Sequence, residues 1–142
     1  MSIFSEADLL FLKSCIESAE KSTSGEIRLH VEAICPSDIP EKRAHELFDS
    51  LGMRNTKQKN AILIYLASES RKFVLWGDQG IHDRVGQSFW DEQAQFLSEQ
   101  LRGGFYLQGM QKVIENLGKA LGEYFPWDDS DVDELDNSIS IG

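Results

Sequence analysis

Seven residues near the middle of the chain, Ala61 to Ala67 (AILIYLA), are apolar on both faces of an extended strand. A strand with one face in water alternates apolar and polar side chains, so a strand that is apolar throughout must be covered on both sides. That requirement puts AILIYLA at the centre of a sheet with helices on two faces and selects an α/β fold for the chain. At 142 residues, 41% of them hydrophobic, the chain fits one domain with a core large enough to need no staples.

The flanking patterns agree. Ser5 and Asp8 form a capping box, Phe4 and Leu9 occupy the staple positions, and Leu9, Leu12, Ile16 and Ala19 mark one face of a helix running to about Lys21. After a Ser-Thr-Ser-Gly turn, EIRLHVEAI alternates strictly, with Ile27, Leu29 and Val31 on one face and Glu26, Arg28, His30 and Glu32 on the other. A helix from about Pro40 to Leu51 follows, closed by Gly52. Four residues, Ser68 to Arg71, separate AILIYLA from KFVLWGD, which predicts an antiparallel hairpin. Helices over Ser88–Leu101 and Tyr106–Tyr124 complete the order αβαββαα. The strand–helix–strand crossover is expected to be parallel and right-handed. A three-layer α/β/α sandwich with a small mixed sheet results, and the starts of the first two strands and the end of the third meet at one sheet edge. Simple hairpin pairing sets Ala61 opposite Asp78.

The charge is uneven. Ala120 to Gly142 holds seven acidic residues and no Lys or Arg; the remainder carries 17 acids and 14 bases, so the net −10 divides into −7 and −3. A pI near 4.7 without a basic cluster excludes nucleic acid as an expected partner. No apolar run approaches the roughly 20 residues of a membrane span. The N-terminus has neither a basic n-region nor a small-residue cleavage site. Two cysteines, Cys15 and Cys35, are too few for a disulfide framework. A cytoplasmic protein without a membrane anchor is the expectation.

Two regions could carry chemistry. Asp78 opens Gly77-Asp-Gln-Gly-Ile where the third strand ends, with Asp83 five residues on; it either caps a short helix near His82 or joins Glu26 and Asn60 in a polar site. In the tail, Asp129, Asp131 and Asp133 alternate, a spacing that lets carboxylates of a curling loop converge on a hard divalent cation, Ca²⁺ or Mg²⁺. The competing reading is a solvated acidic tail. An EF-hand is excluded, because position 6 is Glu134 and position 12 is Ser140. There is no P-loop, no G-x-G-x-x-G and no G-x-S-x-G. His30, His45 and His82 have no zinc spacing and are expected on the surface or on helices.

Thr23-Ser-Gly-Glu-Ile-Arg, Leu51-Gly-Met, Asn60-Ala-Ile-Leu-Ile-Tyr-Leu-Ala, Gly77-Asp-x-Gly-Ile, Phe89-Trp-Asp, Gly104-Phe-x-x-Gly, Tyr124-Phe-Pro and Glu134-Leu…Ile139-Ser-x-Gly occur in order along nearly the whole chain. Together they resemble the short soluble bacterial branch of the TPM domain family. The resemblance implies an α/β/α sandwich and a divalent metal, calcium above all, in an acidic cleft at one sheet edge. One plant thylakoid-lumen relative is described as an acid phosphatase, and other members act as accessory proteins. Asp136 stands where the branch often has Pro, adding a carboxylate.

The candidate metal ligands are therefore Asp78, Asp83, Asp129, Asp131, Asp133 and Glu134, with Glu26, Arg28, Asn60 and Gly80 lining the cleft. The body is expected over residues 1–127, with the acidic segment 128–142 folded back onto it. One reading is a calcium-binding accessory or regulatory domain. The alternative is a metal-assisted acid phosphatase acting on phosphomonoesters, for which Arg28, Lys59 and Arg84 are the cations within reach and no residue stands out as nucleophile.

Overall fold

The structure, a computed structural model, describes residues 3–127 and 139–142. Helix α1 (Glu6–Glu20) begins at the expected capping box. Ser5 Oγ accepts the Asp8 N–H and Asp8 Oδ2 accepts the Ser5 N–H, each at 3.0 Å, while Phe4 is buried beneath the turn. There follow β1 (Glu26–Glu32), α2 (Pro40–Ser50), β2 (Ala61–Ala67), β3 (Lys72–Gly77), α3 (Gln79–Val85), α4 (Gln87–Arg102), α5 (Tyr106–Tyr124) and β4 (Ile139–Ile141).

The sheet order is β3-β2-β1-β4, with β1 parallel to β2 and β4, and β3 antiparallel to β2. Every residue of β2 is buried, as its two-sided apolar sequence demands. On one face Ile27, Leu29, Ile62 and Ile64 pack with α1, α4 and α5, whose Met110, Val113, Ile114, Leu117 and Leu121 form the predicted stripe. On the other face Leu63 and Tyr65 meet Ala44, Leu47 and Phe48 of α2. This is the expected α/β/α sandwich.

Three features depart from expectation. The chain returns after the acidic segment as β4, pairing Ile139, Ser140 and Ile141 with Leu29, His30 and Val31, which makes β1 an interior strand. The short helix near His82 starts earlier, at Gln79, because Asp78 caps it. His30, expected at a surface or on a helix, lies in β1 and is buried, its Nδ1 2.8 Å from Ser140 Oγ. Among the described residues no helix is long and apolar enough to cross a membrane.

Candidate functional site

The start of β1, the start of β2 and the end of β3 do share one edge. Glu26 pairs with Ala61, and the Asp78 N–H donates to the Ala61 carbonyl at 2.9 Å, the register the hairpin predicts. The Asn60 carbonyl accepts the Glu26 N–H at 3.4 Å. Glu26, Asn60 and Asp78 are all buried. Asn60 Nδ2 donates to Ser24 Oγ at 3.2 Å, but its Oδ1 has no hydrogen-bond partner among the described residues. Asp78 Oδ1 accepts the Gln79 N–H at 2.8 Å; its Oδ2 has no partner among the described residues, and only 6% of the residue is exposed.

Close backbone contact holds this edge. A Cβ on Gly80 would lie 2.0 Å from the Gln58 carbonyl oxygen and 2.6 Å from that of Lys59, so only glycine fits there. The Ile81 N–H donates to the Lys59 carbonyl at 3.2 Å, and Lys59 itself takes a positive φ of 53°. The loop before Asn60 is thereby locked to the first turn of α3.

The chain exit from α5 is fastened to the same edge. Phe125 accepts the Ser24 N–H at 3.1 Å and the Thr23 hydroxyl at 2.5 Å, and the Trp127 N–H donates to the Ser22 carbonyl at 3.0 Å. Of the aromatic residues at this exit only Phe125 is buried; Tyr124 and Trp127 are exposed, so hydrogen bonds more than aromatic packing hold the exit in place.

The remaining candidates divide. Gly80 and Asp83 line a cleft of about 460 Å³ with Gln58, Arg84 and Phe125. Asp78 lines a different groove, beside β3. Asp83 is exposed and its Oδ1 accepts from the Gln79 side chain. Arg28 is half-buried on the Glu26 face of β1, with a buried Nε that has no hydrogen-bond partner among the described residues. Lys59 directs its Nζ to the Arg54 carbonyl at 2.5 Å. Asp129, Asp131, Asp133 and Glu134 lie outside the described residues. Among the described residues, no three His, Cys, Asp or Glu side chains form a group that could hold a metal ion.

Glu20 escaped the sequence reading. It is buried, and its Oε2 accepts the Ile27 N–H at 2.6 Å, bringing another carboxylate to the start of β1. The signal was present: Glu20 stands four residues beyond Ile16, on the line of Leu12 and Ile16.

On the polar face of β1, Glu26, His30 and Glu32 are buried, not solvent-facing, and Glu32 is paired. Glu32 accepts Arg43 Nε at 2.9 Å, Arg43 Nη2 at 2.8 Å and the Tyr65 hydroxyl. The Arg43 bonds, outweighing burial, hold the Glu32 carboxyl down to about 2. Burial, reinforced by the Glu32 carboxylate, raises the Tyr65 phenol. Burial lowers His30 despite Glu32 Oε1 3.5 Å away. Arg43, the partner that makes a buried Glu32 tolerable, comes from α2 on the covering layer.

Residues 1–120 match the TPM domain. The chain belongs to the TPM domain family. Among solved structures, this TPM domain is similar to the BA42 protein of the psychrophilic bacterium Bizionia argentinensis, determined by NMR. The two share 42% identity at a TM-score of 0.90, over 99% of this chain and 97% of that one. The N-terminal domain of cg2496 from Corynebacterium glutamicum matches with a TM-score of 0.64 and 15% identity, over 96% of this chain and 79% of that one, a likeness of fold. Comparison with curated proteins finds no match.

Proposed function

We propose that this TPM domain binds a divalent cation, calcium in preference to magnesium, at the edge formed by Asn60 and Asp78, and serves as an accessory or regulatory module. The observation that carries the reading is a pair of buried oxygens without partners among the described residues, Asn60 Oδ1 just before β2 and Asp78 Oδ2 just after β3. A buried carboxylate oxygen left unpaired costs free energy that a hard cation would recover. Oxygen-only donors suit calcium, which accepts six to eight of them in flexible geometry.

The described residues alone supply too few ligands. Asp129, Asp131, Asp133 and Glu134 are the proposed remainder. The chain is tethered at Trp127 to Ser22 and at Ile139 to Leu29. Asp131, four residues past Trp127, is thus within about 14 Å of it along the chain. Two unpaired thiols, Cys15 and Cys35, support a cytoplasmic setting.

Calcium titration followed by ¹⁵N–¹H NMR tests the reading. The amides of Asn60, Asp78 and Gln79 should shift together with those of residues 129–134. Unchanged spectra at millimolar calcium refute it. The phosphomonoesterase alternative is favoured by one feature, Arg84 beside Asp83 and Gly80 in a single cleft, where a guanidinium could meet a phosphoryl group. Hydrolysis of p-nitrophenyl phosphate, dependent on metal and abolished by Arg84→Ala, would establish it; no turnover is expected.

A further inference from the structure

The outer edge of β3, unpaired among the described residues, is a second feature that the cation reading leaves unused. Edge strands are ordinarily blunted by brevity, bulges, proline or covering elements. β3 has six residues, no proline, and an unbroken register from Ala67↔Lys72 to Ile62↔Gly77. No described strand pairs with its other side.

The register identifies the groups on offer. The Asp78 N–H bonds to the Ala61 carbonyl, so Asp78 and Ala61 form a hydrogen-bonded pair of the antiparallel ladder. Alternate residues Trp76, Val74 and Lys72, opposite Leu63, Tyr65 and Ala67, then bond inward. Phe73, Leu75 and Gly77 direct their N–H and C=O groups away from β2.

Beside them runs a groove of about 660 Å³. Glu41 and His45 of α2, with Arg54, wall one side; Gln87, Trp90 and Asp91 of α4 wall the other. The edge is therefore recessed between helices. A second folded copy would have to bring two such helix-flanked edges together, whereas a slender extended chain need not.

Charge narrows the occupant further. Glu41 and Asp91 face the groove from opposite walls, and Asp78 lies at its end. Arg54, the one Lys or Arg in the lining, already pairs with Asp49 and has Nη2 2.7 Å from His45 Nε2. The whole chain carries −10. We propose that the β3 edge takes up an extended, basic segment of a partner protein as an added strand, with backbone bonds to Phe73, Leu75 and Gly77 and cationic side chains directed to Glu41 and Asp91.

The test uses the full chain in chelator, so that its outcome is independent of the proposed cation. The probes are the acetylated, amidated hexapeptide Val-Lys-Val-Lys-Val-Lys, its Glu counterpart, and a Lys version methylated at every backbone nitrogen. The Lys peptide should slow amide exchange at Phe73, Leu75 and Gly77 at least tenfold and leave Val74 and Trp76 unchanged. The Glu peptide and the methylated peptide should give no protection. Glu41→Lys combined with Asp91→Lys should reverse the preference in favour of the Glu peptide. The proposal is overturned if the alternating protection is missing, if the methylated peptide protects equally, or if protection appears with protein concentration alone, which would mean a second copy occupies the edge.

Discussion

Asp78→Asn keeps the oxygen that caps Gln79 at 2.8 Å and removes the charge from the oxygen that has no partner among the described residues. The consequences for folding and for cation binding should have opposite signs. In chelator, wild type holds a carboxylate oxygen buried and unpaired, a burden on the order of 1–3 kcal/mol. Neutralising it should raise stability by about 1 kcal/mol, after allowance for an amide that must also find partners. In calcium at 100 times the dissociation constant, wild type should gain about 2.7 kcal/mol, roughly 8 °C for a chain of this size. The variant should gain less than about 1 kcal/mol. The two proteins would thus exchange rank between chelator and calcium. Urea unfolding followed by circular dichroism, with equal slopes for both proteins, measures all four stabilities. A variant that is less stable in chelator yet keeps the full calcium gain would refute the reasoning and leave Asp78 as a helix cap alone.

Glu32→Gln should cost about 2–3 kcal/mol at neutral pH. The fall of the carboxyl from 4.5 to about 2 corresponds to roughly 3 kcal/mol, reduced because the Arg43 side chain is 23% exposed. Because the folded value is depressed, wild type keeps this stability above about 4.5 and loses it as pH falls toward 2. The variant should lack that step in urea midpoints measured against pH. His30 acts earlier: its folded value is also lowered, so its contribution is present above 6.5 and fades as pH drops below that. Gly80→Ala drives a Cβ into the Gln58 and Lys59 carbonyls and should destabilise by about 2–3 kcal/mol while weakening the calcium response, read in one denaturation series. Replacing Asp129, Asp131, Asp133 and Glu134 by their amides should abolish the calcium gain while changing stability in chelator by less than about 1 kcal/mol. An undiminished calcium gain would show that these carboxylates are not ligands.

Several elements follow from sequence alone because their causes are local. The Ser5–Asp8 box closes over three residues, the Leu117–Leu121 stripe repeats with the helical period, and AILIYLA declares two covered faces by having no polar one. From those, chirality and hairpin pairing bring Glu26, Asn60 and Asp78 to one edge. What the sequence could not decide is which ionisable groups the fold would enclose. The fate of β1's polar face depended on Arg43, 11 residues away, on Tyr65, 33 away, and on Ser140, 110 away. Neither periodicity nor propensity encodes such meetings, because each exists only after the layers have packed. β4 is similar: three residues carry no strand signal of their own, and Ile139 becomes part of a sheet only because Leu29 offers it a partner. Burial of charge and pairing across the chain are properties of the assembled tertiary structure, since the cost of removing an ion from water is met by partners that only the fold brings within hydrogen-bond distance.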